Sequence, residues 1–292
     1  VGRIFLRGAS AMIDLKHLDP SVREAVFSGL SERKRVISDL PYIGTPIAKP
    51  ALDAILHWGA SHRGGGSEFV MIEGDPQTGK GALLEEAHRR LAADYPLERR
   101  AVLYRASGVP TRSRLIHQLI VAGEVPHLWS NQLERHFGRV RASFERENVR
   151  VLLANKLHDP APRRAGPYLT MWRGCCDELG VHGAFSIGRR AKKFLADEPT
   201  LGARMVTFEL SAWPAATRWV IVALEKALSF VPLPDATEIN ADFMETLYGL
   251  TGGYPGRIFT RLKFAADLAI DRGAAKLTPA LLIESAPGRL RL

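Results

Sequence analysis

The run Gly74-Asp75-Pro76-Gln77-Thr78-Gly79-Lys80-Gly81 holds the residues best suited to chemistry in this chain. It follows the phosphate-loop pattern G-x-x-x-x-G-K-[ST] up to its last position. In such a loop, backbone N–H groups wrap a polyphosphate and the lysine reaches its terminal phosphates. The closing Ser or Thr oxygen binds Mg²⁺. Here the closing residue is Gly81, so the cradle and the lysine are present while the metal-binding hydroxyl is not. Binding a nucleotide and hydrolysing it are therefore separate questions for this chain.

A phosphate loop works only between a strand and a helix, and the flanking residues supply both. Glu68 to Glu73 is a short apolar run of strand type, and Ala82 to Leu91 places apolar residues at helical spacing among strong helix formers. The helix N-terminus would then point its partial positive charge at the anion. Further β-like runs lie at Ala101–Ala106, Val149–Ala154, His182–Ile187 and Met205–Leu210, with Phe69–Glu73 the first of five. Runs separated by helical segments predict an α/β fold, a mostly parallel sheet with helices on both faces. After Pro214 the pattern turns wholly helical, with expected helices at Ala215–Ser229, Asn240–Leu250 and Pro255–Arg272. Pro232, Pro234 and the Gly252-Gly253 pair separate them. The expected organisation is a helical N-terminal extension over 1–35, an α/β nucleotide-binding core over 36–212 and a helical lid over 213–292. Asp19-Pro20 suits the start of a helix in the extension.

Composition narrows the class. The chain has 292 residues, 46% of them hydrophobic, enough for a proper core. No apolar run is long enough to span a membrane, and the start, Val1 to Ser10, lacks a secretory pattern. The missing initiator methionine points to a trimmed start. Two adjacent cysteines, Cys175 and Cys176, build neither a disulfide framework nor a zinc site, so a reduced, cytoplasmic setting is expected. A net charge of +9 points to an anionic partner, nucleic acid above all, the alternative being a solvated basic surface. Arginines are dispersed through the chain, as on the surface of a folded domain, and form no basic tail.

An α/β core with a phosphate loop on its first strand, followed by a helical lid, resembles the AAA+ ATPases. Tyr42-Ile43-Gly44-Thr45-Pro46, ahead of the loop, is similar to the Y-I-G-Y-P box of the TniB family, AAA+ transposition helpers related to TnsC. Leu30 to Ile37 resembles the approach to that box, Leu210-Ser211-Ala212-Trp213 the strand-to-lid junction, and Thr251 to Arg257 the second sensor region. The resemblance covers nearly the whole chain and implies a regulator that assembles on double-stranded DNA as a ring or filament. Such a protein recruits a transposase to a site chosen with a TniQ-like selector, and no membrane is involved. It implies ATP or ADP as cofactor, with Tyr42, Ile43 and Gly44 near the base and Arg257 as second-sensor arginine. Arg204 would reach a neighbouring subunit's phosphate, and Arg105, Arg112 and Arg114 would face DNA.

The departures from the family pattern bear on catalysis. Relatives end the third strand in a Walker B sequence of the type hydrophobic-D-E-L-H, and here the matching residues are Leu153-Ala154-Asn155-Lys156-Leu157-His158. On this alignment Ala154 stands for the metal-orienting aspartate and Asn155 for the water-activating glutamate. Gly188-Arg189 puts a cation where the first sensor presents a small polar residue, and Arg189 could offset charge that the metal normally neutralises. Losing one such stabilising group costs roughly 10²- to 10³-fold in rate. The expectation is therefore nucleotide binding with Mg²⁺ held weakly and hydrolysis weak or absent. Two alternatives stay open: an active DNA-stimulated ATPase using non-standard residues, and a structural adaptor without nucleotide.

Overall fold

Apolar runs with no polar alternation dictate strands buried on both faces, which is how parallel sheets are built. In the computed structural model, which describes residues 14–61, 66–106, 111–126, 132–157, 165–189, 203–215 and 217–285, five strands form one sheet, the inner ones of this kind. They are β1 (Phe69–Gly74), β2 (Ala101–Arg105), β3 (Val151–Asn155), β4 (His182–Ile187) and β5 (Met205–Leu210). All pair in parallel in the spatial order β2-β3-β4-β1-β5. Strand β1 is buried along its whole length, whereas β5 closes an edge and leaves Val206 exposed.

Backbone contacts divide the chain into two compact units, one from Pro46 to Ser211 and the other combining the chain up to Thr45 with the chain from Ala212 onward. The α/β unit holds the sheet with α2 (Lys49–Ala60), α3 (Lys80–Asp94), α4 (Arg112–Ala122), α5 (Leu133–Arg146) and α6 (Ala165–Leu179). The helical unit holds α1 (Leu30–Ser38), α7 (Arg218–Leu228), α8 (Ala241–Thr251), α9 (Pro255–Asp271) and α10 (Pro279–Glu284). The segment expected to stand as a separate N-terminal extension thus shares a unit with the C-terminal helices. Arg33 donates through Nε and Nη2 to the Pro232 carbonyl at 3.2 and 2.8 Å, and Lys226 Nζ donates to Asp19 Oδ2 at 2.8 Å. The Lys226 bond, reinforced by the Ser21 hydroxyl, holds the Asp19 carboxyl down to about 2.

The faces of the sheet decide where the site residues point. The main core of the α/β unit gathers Val102, Leu152, Ala154 and Phe185 from the strands with Phe144 of α5 and Trp172 of α6. Trp172 is fully buried, with its ring centroid 5.7 Å from that of Phe69 and 5.2 Å from that of Phe185. Cys175 and Cys176 lie in the same core, and burial pushes the Cys175 thiol up to about 11 and the Cys176 thiol well above its usual range. Helix α3 packs against α2 and against the sheet, and none of its side chains joins that cluster. Because successive side chains of a strand point to opposite faces, Leu152 and Ala154 face the apolar core while Asn155 faces α3.

This register is testable by stability alone. Ala154→Asp puts an unpaired carboxylate into the apolar cluster and is expected to cost roughly 3–5 kcal/mol. Asn155→Asp, close in shape and keeping the Ser186 hydroxyl as donor to its Oδ1, is expected to cost clearly less. Urea unfolding of both variants checks this, and equal losses would mean the faces are assigned wrongly.

Candidate functional site

The loop keeps the backbone that phosphate binding requires. Gly74 ends β1, and a Cβ there would come within 2.2 Å of the Leu210 carbonyl oxygen of β5, so the sheet itself demands glycine. Gly79, with φ 92°, adopts the left-handed region and leads directly into α3. Gln77 also takes a left-handed φ of 69°, which for a side-chain-bearing residue costs about 1–2 kcal/mol. Left-handed residues inside a short turn bring successive backbone N–H groups toward one point, the arrangement that binds anions. The N-terminus of the 15-residue α3 adds its partial positive charge at the same place.

Lys80 is buried beside the loop, with Nζ donating to the Gly74 and Asp75 carbonyls at 2.7 Å each. Burial lowers its ammonium to about 8, opposed in part by the Asp75 carboxylate. Thr78 is also buried, and its hydroxyl donates to the Asp75 carbonyl at 2.9 Å, so it does not take over the role of the missing hydroxyl at position 81. Pro76 completes the turn between these residues. Arg189 stands at the rim, its Nε 3.8 Å from Asp75 Oδ2 and its guanidinium paired with Glu209.

The metal side of the site differs from the sequence expectation. Asn155, not Ala154, is the β3 residue that meets the loop helix. A Cβ built on Gly81 would lie 2.8 Å from Asn155 Nδ2 and 3.4 Å from Oδ1. On β3 it is thus Asn155 that faces the loop helix, while Ala154 is a core residue. Asn155 is 7% exposed, and its Oδ1 accepts from the Ser186 hydroxyl at 3.0 Å. Ser186 Oγ in turn accepts the Lys156 backbone N–H at 2.8 Å. Lys156 sits at φ 60°, a strained value that directs its N–H to Ser186. Ser186 carries no motif in the sequence; its place on the α3 face of β4 is a signal visible only once the strand alternation is known. With no hydroxyl at 81 and an amide where an acid belongs, these residues do not fit a Mg²⁺ ion, and among the described residues no His, Cys, Asp and Glu cluster could hold a metal.

The remaining candidates are dispersed. Arg204 lies just before β5, paired with Asp177 through Nη1 and Nη2 at 3.0 and 2.9 Å and stacked over Phe69. Arg112, at the first turn of α4, is engaged by Glu178 at 3.1 Å and Glu134 at 3.6 Å. Arg105 and Arg114 are exposed. Tyr42, Ile43, Gly44 and Arg257 belong to the helical unit. There Ile43 is buried in the apolar cluster, while Arg257 is exposed with its guanidinium 4.8 Å from the centre of the Tyr254 ring.

The parallel five-stranded sheet, with a glycine loop after β1 and helices packed against it, is an α/β fold that this chain shares with several solved structures. The solved structures that share it include the Aeropyrum pernix ORC2 protein in its ADP form, with a TM-score of 0.63 and 17% identity over 86% of this chain and 71% of that one. The Aeropyrum pernix ORC1 protein in complex with DNA has a TM-score of 0.64 and 16% identity, covering 87% of this chain and 68% of that one. Cdc6p from Pyrobaculum aerophilum has a TM-score of 0.59 and 16% identity over 86% and 70%. At these identities the likeness is one of fold. No model of a protein family matches the chain, and no curated protein matches its sequence.

The lowered Lys80 ammonium sets a pH dependence. A phosphate can pair only with the charged form and raises its titration point when bound. Any phosphate affinity at this loop is therefore expected in full below about pH 8 and is expected to be lost as pH rises through the value of the bound state. Between the two values it falls by up to about tenfold per pH unit. Titration with inorganic pyrophosphate from pH 7.5 to 10 should show this fall in the native chain and a flat, weak response in Lys80→Ala. An unchanged affinity across that range would remove Lys80 from the phosphate site.

Proposed function

We propose that this chain is an AAA+ regulator of transposition that binds ATP or ADP and double-stranded DNA, assembles with copies of itself on the duplex and recruits a transposase. In this reading, nucleotide is a structural ligand and turnover is negligible. The observation that carries it is the pairing of an intact phosphate loop and buried Lys80 with Gly81 and Asn155 at the positions that would hold metal and acid. Backbone amides and a lysine bind phosphate without an acid, whereas hydrolysis needs the metal and a positioned water. Support for nucleotide and DNA comes from neighbours of the same fold, an ORC2 protein with ADP and an ORC1 protein with DNA. The transposition role, with its transposase and TniQ-like partners, rests on the TniB-like Tyr42-Ile43-Gly44-Thr45-Pro46 box and the ordered motifs that follow it.

Within this reading Arg204 serves a neighbouring protomer once freed from Asp177. Titration with a fluorescent ADP or ATP should give saturable binding that Lys80→Ala abolishes, and phosphate release with duplex DNA present should stay at background. Turnover typical of an active ATPase, lost in Lys80→Ala, would favour the enzyme instead. No binding of either nucleotide would favour the adaptor.

DNA binding is assigned to the exposed Arg105 and Arg114, because Arg112 is already engaged by two carboxylates. Duplex affinity should fall steeply between about 50 and 200 mM salt, through release of counterions from neutralised phosphates. Arg105→Ala with Arg114→Ala should weaken binding equally for all sequences and lower the salt slope by about 1 for each phosphate no longer neutralised. Unchanged affinity and slope in that double variant would take this segment out of the DNA interface.

A further inference from the structure

We propose that the phosphate loop takes its nucleotide without Mg²⁺, and that the Asn155 side-chain amide supplies an N–H donor to the polyphosphate on the side where a metal would otherwise stand. This rests on the reading of the loop as a nucleotide site and adds to it the ionic form of the ligand, a metal-free nucleotide di- or triphosphate.

The orientation of one amide carries the inference. Oxygen and nitrogen of an asparagine side chain are told apart by their hydrogen-bond partners. The Ser186 hydroxyl accepts the Lys156 N–H at 2.8 Å and therefore directs its own single proton to Asn155, 3.0 Å away. That partner must be the acceptor, Oδ1. Nδ2, with two N–H groups, is left facing α3 and the loop, where it lies 2.8 Å from the point a Cβ at position 81 would occupy. No acceptor among the described residues meets Nδ2, although Asn155 as a whole is only 7% exposed. Nδ2 is not sealed away from solvent, so its N–H groups are open to a ligand on the side of the loop. An anion on the loop would satisfy them.

The same geometry excludes the metal. A Ser or Thr at 81 would collide with the amide, so the absent hydroxyl and the present asparagine are two sides of one substitution. A cation would meet N–H groups from Asn155 and the ammonium of Lys80 in place of oxygen ligands, and hard cations such as Mg²⁺ require oxygen. Phosphate charge is met instead by Lys80, by the helix terminus and by amide donors. Arg189 sits within 3.8 Å of the loop residue Asp75 and lies on the same rim.

The experiment compares binding of a fluorescent ADP and ATP to the full chain in excess EDTA and in millimolar MgCl₂. Equal affinity within about twofold, or tighter binding in EDTA, is expected for the native chain. Asn155→Ala should lose roughly tenfold in EDTA, the measure of one hydrogen bond to a charged group. Asn155→Asp should lose more than that in EDTA and recover in MgCl₂, because a carboxylate repels phosphate until a cation bridges them. The native chain needs no substitution for the decisive comparison, so a variant that fails to fold leaves the test intact. Binding that requires Mg²⁺ overturns this inference while leaving the nucleotide reading in place. Absence of binding in both media overturns both.

Discussion

The approach of the Asn155 amide to the point that a Cβ on Gly81 would occupy constrains the rest of the site. One residue ends a central strand and the other lies in the first turn of the loop helix, and the space between them holds a side chain from only one side. An amide there requires glycine opposite; a hydroxyl-bearing residue opposite would require the amide to leave. Ser186 then fixes which end of the amide points inward, and the strained Lys156 backbone fixes Ser186. Four residues on three elements thus act as a unit, and the polarity of the cavity is decided by a hydrogen bond on the far side of the asparagine.

The loop itself retains costly features. Gln77 stands in a left-handed conformation and Gly74 is pressed against the Leu210 carbonyl, a proximity that no other residue tolerates. Strain of this kind persists where surrounding structure over-determines it, and it clusters at ligand sites. A turn whose sole task was to connect β1 to α3 would have cheaper conformations available.

Much of the fold was legible from residue order. All five strands lie within two residues of where apolar runs place them, and the three long C-terminal helices lie close to their expected spans. What failed was register. Val149 to Ala154 is apolar at nearly every position, and a strand buried on both faces carries no alternation to say which residue points where. A shift of one residue exchanges the faces, so the sequence could not show that Ala154 enters the core while Asn155 faces the loop helix. The partnership of the N-terminal segment with the C-terminal helices was equally hidden, because it depends on pairs such as Arg33 with Pro232 that join residues remote in sequence. The glycines, the lysine and their order were plain; the asparagine became informative only when its neighbours were known.

Cys175 and Cys176 carry a practical consequence of a different kind. They are the only thiols in the chain, both are buried in the core around Trp172, and burial suppresses their thiolates. Since the thiolate is the reactive species, slow alkylation of the native protein is expected, its rate set by how often helix α6 opens from the sheet. A single cysteine introduced at an exposed position would therefore carry a probe alone. Such a probe can be attached to the native chain without first removing residues from its core.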